Sequence, residues 1–557
     1  MLTNQLKEFI KGEIANDEKT LQKYSRDASL FEVKPETVVF PKDSEDIKKL
    51  VQFISRRKSA LGLPEFALLS ITARCGGTDM TGGDLGESIV IDFTKHFNKI
   101  YEVDSYGDGG GYARAQPGVF YRDFEKETLK AGLILPPFPA SREICAIGGM
   151  VANNAGGEKS LIYGKTENFV EELDMILSDG NEYTFKKLNE EELEQKKSLQ
   201  TFEGQLYRNL YSLIINHYSF ITSAKPQVAK NSAGYALWNV WDNEQKTFDL
   251  TRLFVGAQGT LGLMTKAKFR LIEVQPHSEM VVIFLHDISH LGSIINKILP
   301  LKPESFEAYD DNTLKLALKF FPSFAKLLGA KNLISTAFSF LPEFLMLLRG
   351  GLPKLILQVE FAGKNHEELQ IKVKKIKEEL ASLHPQIRVA TDEGQEKKYQ
   401  LIRHESFNLL RHKIKDKQTA PFIDDFVVEP KYLEQFLPEL EKIMKQYPGL
   451  IYTVAGHMGE GNFHIIPLMN LNDDKQRAII PELGQKVYDL VLKYHGSITG
   501  EHNDGIIRTP YLKQMFGEEV YKLFEETKRI FDPLNIFNPG KKVGGDLDFA
   551  LSHIKKG

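Results

Sequence analysis

RCGGTDMTGG, residues 74–83, follows directly on the apolar run ALLSITA at 67–73. A strand that runs into a glycine loop turns backbone N–H groups inward and makes a nest for an anion such as a pyrophosphate. Glycine is required where phosphate comes too near for a Cβ, or where φ is positive. A second cluster, IGGMVANNAGG (147–157), is followed by Tyr163-Gly164. Its paired glycines, small residues and asparagines suit close contact with a flat ring system. A third glycine-rich turn is FVGAQGTLGLMTKAKFRL (254–271). Taken singly, each cluster is also what a tight turn requires. No G-x-G-x-x-G opens a helix, which disfavours a Rossmann cofactor site.

Outward from the first loop, Thr37–Phe40 is predicted as a strand, then Pro41 and a helix opened by Asp43 or Ser44, whose oxygens accept orphan N–H bonds. Ile89–Phe93 reads as another strand, and 112–180 as short strands alternating with glycine-rich turns. From about 276 the texture changes. VVIFLHD, LQVEFAG, the charged helix KNHEELQIKVKKIKEELASL and a strand at 387–390 predict an α+β module on an antiparallel sheet. Residues 496–557 close with a helix and the turn DPLNIFNPGKK.

The 557 residues suffice for about three folding units. Apolar residues at 42% and charged residues at 26% are ordinary for a water-soluble globular chain. A net charge of −4 excludes a generally basic nucleic-acid binder. Cys75 and Cys145 are the only cysteines. They cannot ligate an iron–sulfur cluster alone, nor do they form a Cys-x-x-Cys pair. The N-terminus lacks the apolar core of a signal peptide, and no stretch reaches the length of a membrane span. A cytoplasmic protein is the expectation.

AGHMGEGNFHIIPL (455–468) carries His457 and His464 between β-type runs, which predicts a hairpin with MGEGN as its turn and the imidazoles meeting across the strands. GSITGEHNDG (496–505) adds Glu501 and His502. Two histidines and a carboxylate suit zinc, manganese or iron. Buried, hydrogen-bonded histidines would look the same by spacing.

In order and spacing these segments resemble the FAD-linked oxidase superfamily of the vanillyl-alcohol oxidase type, over nearly the whole chain. The resemblance implies an α+β fold: a two-part FAD-binding domain at 1–275, and an antiparallel-sheet substrate domain at 276–495 with an apolar insertion at 313–353. Residues 496–557 would return to the FAD domain and active site. Gly76, Gly77, Thr78, Asp79 and Gly82 would hold the pyrophosphate, with Arg74 and Asn538 also at the cofactor. Pro117 and Gly118 would lie beside the flavin, and Gly148, Gly149, Asn153, Gly157 and Gly164 would line the adenine and ring pockets. Thr78 stands where some relatives attach flavin through histidine, so non-covalent FAD is expected. Gln258, where many relatives have glutamate, is left without a role.

The histidine segments resemble the subgroup containing D-lactate dehydrogenase, D-2-hydroxyglutarate dehydrogenase and the glycolate oxidase flavin subunit. That resemblance makes His457, His464 and Glu501 the ligands of one divalent metal, zinc first, and His502 the base. Asn462 would touch substrate. Arg403 would hold the substrate carboxylate, with Arg411 and Arg508 as competitors. Asn503 departs from the glycine common after Glu-His and leaves the pocket shape open. The implied reaction is oxidation of a 2-hydroxy acid, D-lactate or a similar D-acid, with electrons passing to an external quinone or redox protein.

Two other readings share the FAD half. Alkylglycerone-phosphate synthase, a non-redox transferase, uses adjacent histidines, and no His-His pair occurs here. A flavin-holding electron-transfer subunit would have no need of Glu501-His502. The stretch 313–353 is rich in Phe and Leu, carries four lysines in its first half and is broken by Pro322 and Pro342. It reads either as buried helices or as an amphipathic patch resting on an anionic membrane surface.

Overall fold

The computed structural model describes residues 2–61, 68–107, 109–319, 351–390, 394–403 and 416–556. Most of the 313–353 insertion, and Arg411, lie outside them. Three sheets organise the described residues. The first has the spatial order Glu13–Ala15, Thr37–Phe40, Ile89–Asp92, Ile71–Arg74, and its last three strands are parallel. Parallel strands need a crossover, and the helix Ser44–Leu61 carries the chain from Thr37–Phe40 to Ile71–Arg74, with Ile89–Asp92 lying between the two. Ile47, Leu50, Val51 and Ile54 are fully buried. Their spacing is one stripe of a 3.6-residue helix.

The second sheet is antiparallel and built around the long strand Leu263–Glu273, which pairs with Val170–Ile176 on one side and Gly110–Ala115 on the other. The third begins at His277, four residues on. It runs Gln386–Val389, His277–Leu285, Leu355–Gly363, Ser305–Asp310, Ile451–His457, Asn462–Met469, Gln418–Thr419, all antiparallel. Strand alternation divides its faces. Val281, Ile283 and Leu285 face one core with the helices Leu291–Ile298, His366–Leu380 and Leu433–Met444. Met280, Val282 and Phe284 face the other, with Tyr309 and Ile356. Mixed helix and sheet with an antiparallel substrate-side sheet is the fold expected from sequence.

One local expectation needs correction. Residues 112–180 are not only strands and turns: Tyr121–Leu129 and Ile147–Asn153 are helices. The second glycine cluster therefore opens a helix, with Gly148 and Gly149 in its first turn. Paired glycines lower helix propensity, which hid it. Asn154 at φ 52° ends it in the left-handed conformation that asparagine tolerates.

Candidate functional site

A cleft lies between the first two sheets and the Ile147–Asn153 helix. Gly76, Gly77, Thr78, Asp79, Pro117, Gly148, Gly149 and Asn153, eight of the residues assigned to the cofactor from sequence, line it. A Cβ at Gly149 would have no heavy atom within 4 Å, so any side chain there would project into open space. A glycine-lined, largely apolar cleft beside a loop of backbone N–H groups fits FAD.

The other expected cofactor residues act behind this surface. Gly82 (φ +80°) packs on Phe31 and Ile506, where a Cβ would come within 2.9 Å of either. A Cβ on Gly118 would sit 2.1 Å from Phe93 O, and one on Gly157 2.0 Å from Phe138 O. Gly164 (φ +75°) ends the helix Ser160–Tyr163. Arg74 donates to Arg26 O at 2.6 Å and lies 3.6 Å from Asp84. Asn538 donates to Gly83 O and Gln258 O, each at 2.7 Å, and so ties the first and third turns together. None of these six lines the cleft; each needs its residue type for a close backbone approach or a tie between loops.

Asp79 is a further correction. Its Oδ2 accepts from Thr81 N at 3.1 Å, Thr81 Oγ1 at 2.8 Å and Gly83 N at 2.5 Å, and its Oδ1 from Asn153 Nδ2 at 2.8 Å. The carboxylate fills its own loop and leaves those donors unavailable to a phosphate. Gln258, assigned no role from sequence, also lines the cleft. Its Oε1 accepts from Gly505 N at 2.8 Å, and its Nε2 lies 3.3 Å from both Thr81 Oγ1 and Asn153 Oδ1.

The second constellation sits on the third sheet. His457 and His464 face each other across the expected hairpin, ring centroids 5.2 Å apart, and the turn is Met458–Gly461. Both Nε2 atoms approach the same oxygen, Glu501 Oε1, at 3.0 Å from His457 and 3.5 Å from His464. Each Nδ1 donates to a buried carboxylate: His457 to Glu307 at 2.8 Å, His464 to Asp424 at 3.1 Å. Carboxylates on the far nitrogen fix tautomer and ring direction in metal-ligating histidines. His502 stacks on His464 at 5.0 Å and donates from Nδ1 to Asp424 Oδ2 at 2.6 Å, which leaves Nε2 as its reactive nitrogen.

Among the described residues, donor atoms of Asp425, His464, Glu501 and His502 also fall within 4.8 Å of one another. Asp425 is the poorer ligand of that group. Its oxygens accept from Asn462 Nδ2, Thr499 Oγ1 and the N–H groups of Gly500, Glu501 and His502. Five donors exhaust the roughly four lone-pair sites of a carboxylate, so Asp425 anchors the 499–502 backbone.

Burial works against charge on every imidazole here, but the carboxylates outweigh it. Asp424 and Glu501 carry His464 up to about 10, Glu307 raises His457, and Asp425 with Asp424 raises His502. Glu501 is buried, yet Lys230 and His457 hold it well below the usual carboxylate range. The pocket thus draws positive charge toward Glu501, whose Oε1 both imidazoles approach, while the donors that fall together with it are those of His464, His502 and Asp425 and not of His457.

Two expectations change, those for Asn462 and Arg508, and Arg403 already has partners. Asn462 has no exposed surface, and its amide hydrogens go to Asp425 and Phe426 O, so it braces the site and does not face a substrate. Arg403 pairs with Glu307, the partner of His457, and lies 3.5 Å from Glu158, so protein carboxylates already engage it. Arg508 is fully buried and donates to Asn503 O and Asp424 O, beneath the site. Asn503 has φ +72°, a glycine-like backbone, and its side chain turns away to Asn153 O and Gly256 O. It therefore keeps the course of the chain that glycine would give.

The chain matches a family model described as the FAD binding domain at residues 35–186, and one described as the C-terminal domain of FAD linked oxidases at 274–542. It is 28% identical to D-2-hydroxyglutarate dehydrogenase of Pseudomonas putida over 95% of this chain and 50% of that one. The chain therefore spans about half the length of that relative. Glycolate oxidase subunit GlcD of Bacillus subtilis is 26% identical, over 94% of this chain and 92% of its own. A solved alkyldihydroxyacetonephosphate synthase superposes with a TM-score of 0.63 at 17% identity, covering 96% of this chain and 84% of that one, a likeness of fold.

Proposed function

Because this chain belongs to the FAD linked oxidases, we propose that it is an FAD-dependent dehydrogenase that oxidises a 2-hydroxy acid to the 2-oxo acid. D-Lactate or a similar D-2-hydroxy acid is the substrate class, in keeping with the names of the relatives. The observation that carries this reading is His502, held by Asp424 through Nδ1, beside two imidazoles converging on one oxygen of Glu501.

His502 Nε2 takes the proton of the substrate hydroxyl as the C2–H bond breaks, and the electron pair of that bond leaves as hydride. Bound FAD, in the glycine-lined cleft, supplies the acceptor for the hydride. A divalent cation on His457, His464 and Glu501, zinc before manganese or iron, supplies Lewis acidity toward the hydroxyl. Asp424 stabilises the imidazolium that forms, since its charge already lies 2.6 Å from Nδ1. Arg403 remains the candidate for the substrate carboxylate, by exchange with Glu307 and Glu158.

The acceptor proposed for the electrons is a quinone or a redox protein. A membrane contact through 313–353 would place the enzyme beside a quinone pool. Among the described residues, no helix is long and apolar enough to cross a membrane.

The test is anaerobic flavin reduction with a panel of D- and L-2-hydroxy acids. Bleaching by one enantiomeric series is the expected result. A flavin-loaded protein that no 2-hydroxy acid reduces rejects the proposal.

A further inference from the structure

The two oxygens of Glu501 have different surroundings. Oε1 faces the imidazoles, while Oε2 lies 3.0 Å from Lys230 Nζ. Lys230 is 1% exposed and also reaches Glu460 Oε2 at 2.6 Å, in the turn between the two histidines. On another side a Cβ at Gly156 would stand 2.6 Å from Glu501 Oε2. Lys165 donates to Gly500 O at 2.9 Å and steadies the preceding peptide. Lys230, Gly156 and Lys165 precede residue 275, whereas both histidines and Glu501 follow residue 450.

A glutamate carboxylate turns about a broad, two-fold torsion. Left alone, either oxygen could face the imidazoles. We propose that Lys230 and Gly156 are positioning residues that clamp Oε2 of Glu501, so that the flavin-binding half sets the geometry of the metal ligands. The inference rests on the ligand set proposed above. Two effects of removing Lys230 oppose each other. Loss of a nearby cation favours metal binding. Loss of the clamp leaves two buried carboxylates, Glu460 and Glu501, without their shared partner, and they part. The clamp assigns the larger effect to the second. Gly156→Ala separates the two, because it changes no charge while its methyl presses on Glu501 Oε2, and also on Ser160 Oγ.

The experiment uses the full-length, flavin-loaded protein with zinc and a competing chelator, and cobalt as a spectroscopic substitute. Lys230→Met and Gly156→Ala should each weaken zinc about 10- to 100-fold, the usual effect of removing a partner behind a metal ligand. Each should also alter the visible cobalt spectrum, with FAD content unchanged. Wild-type affinity or tighter in either flavin-loaded variant overturns the clamp. Should Lys230→Met fail to fold, Gly156→Ala decides alone. Wild-type protein that binds no zinc overturns the ligand set itself; zinc-loaded wild type with indifferent variants overturns only the clamp.

Discussion

At the scale of single residues, the site divides into groups visible from sequence and groups that only folding assembles. His457, His464, Glu501 and His502 stood out because they lie in two short segments. Glu307 did not: it is an ordinary strand residue 150 positions from His457. Asp424 and Lys230 were hidden for the same reason, since a lone acid or lysine far from a motif carries no local signal. His502→Ala is expected to lower the rate of flavin reduction by about 10²–10⁴, the usual contribution of a general base. Stopped-flow reduction measures this, and an unchanged rate removes His502 from the mechanism. Asp310 offers a pH test away from the site. Burial lifts its carboxyl to about 6, against the bonds it accepts from Thr313. Between about pH 4 and 6 the native protein holds a proton there that the unfolded chain has lost, so this group's contribution to stability falls as pH rises through that window. Asp310→Asn should therefore gain on wild type by on the order of 2 kcal/mol between pH 4 and pH 7. Denaturant unfolding at both pH values checks it, and an equal difference at the two refutes it.

Among the elements, strands were the more legible because short β-branched and apolar runs mark them, as in Thr37–Phe40 and Ile89–Asp92. The Ile147–Asn153 helix was not, because its glycines serve the cleft at the expense of helix propensity. That conflict is itself testable. Gly149→Ala should stabilise the flavin-free protein by about 0.5–1 kcal/mol, the helix preference for alanine, while its methyl lowers FAD occupancy. Flavin-to-protein absorbance ratios and melting curves read the two effects separately; undiminished FAD would show that Gly149 does not face the cofactor. Thr78 lines the same cleft where a histidine would permit covalent attachment. Acid or heat should accordingly release intact FAD without proteolysis, and flavin retained on the denatured chain would contradict this.

For the molecule as a whole, deletion of Lys331–Arg349 addresses the membrane contact. If the patch docks on anionic lipid, the deletion moves the enzyme to the soluble fraction, with dye-linked activity kept and quinone-linked activity lost. A wild type that is wholly unbound at low salt, with a deletion that only unfolds it, rejects that contact. The change in texture near 275 coincides with the start of a new sheet at His277. The ties between distant segments were not readable. One of them governs order in time. Asn538 bonds Gly83 O and Gln258 O and accepts from Thr72 Oγ1, while Ile71 donates its N–H to Ile536 O. A nascent chain on the ribosome has made both glycine turns long before these partners emerge. The pocket is then held on one side only, so stable capture of flavin must wait until synthesis has passed residue 538.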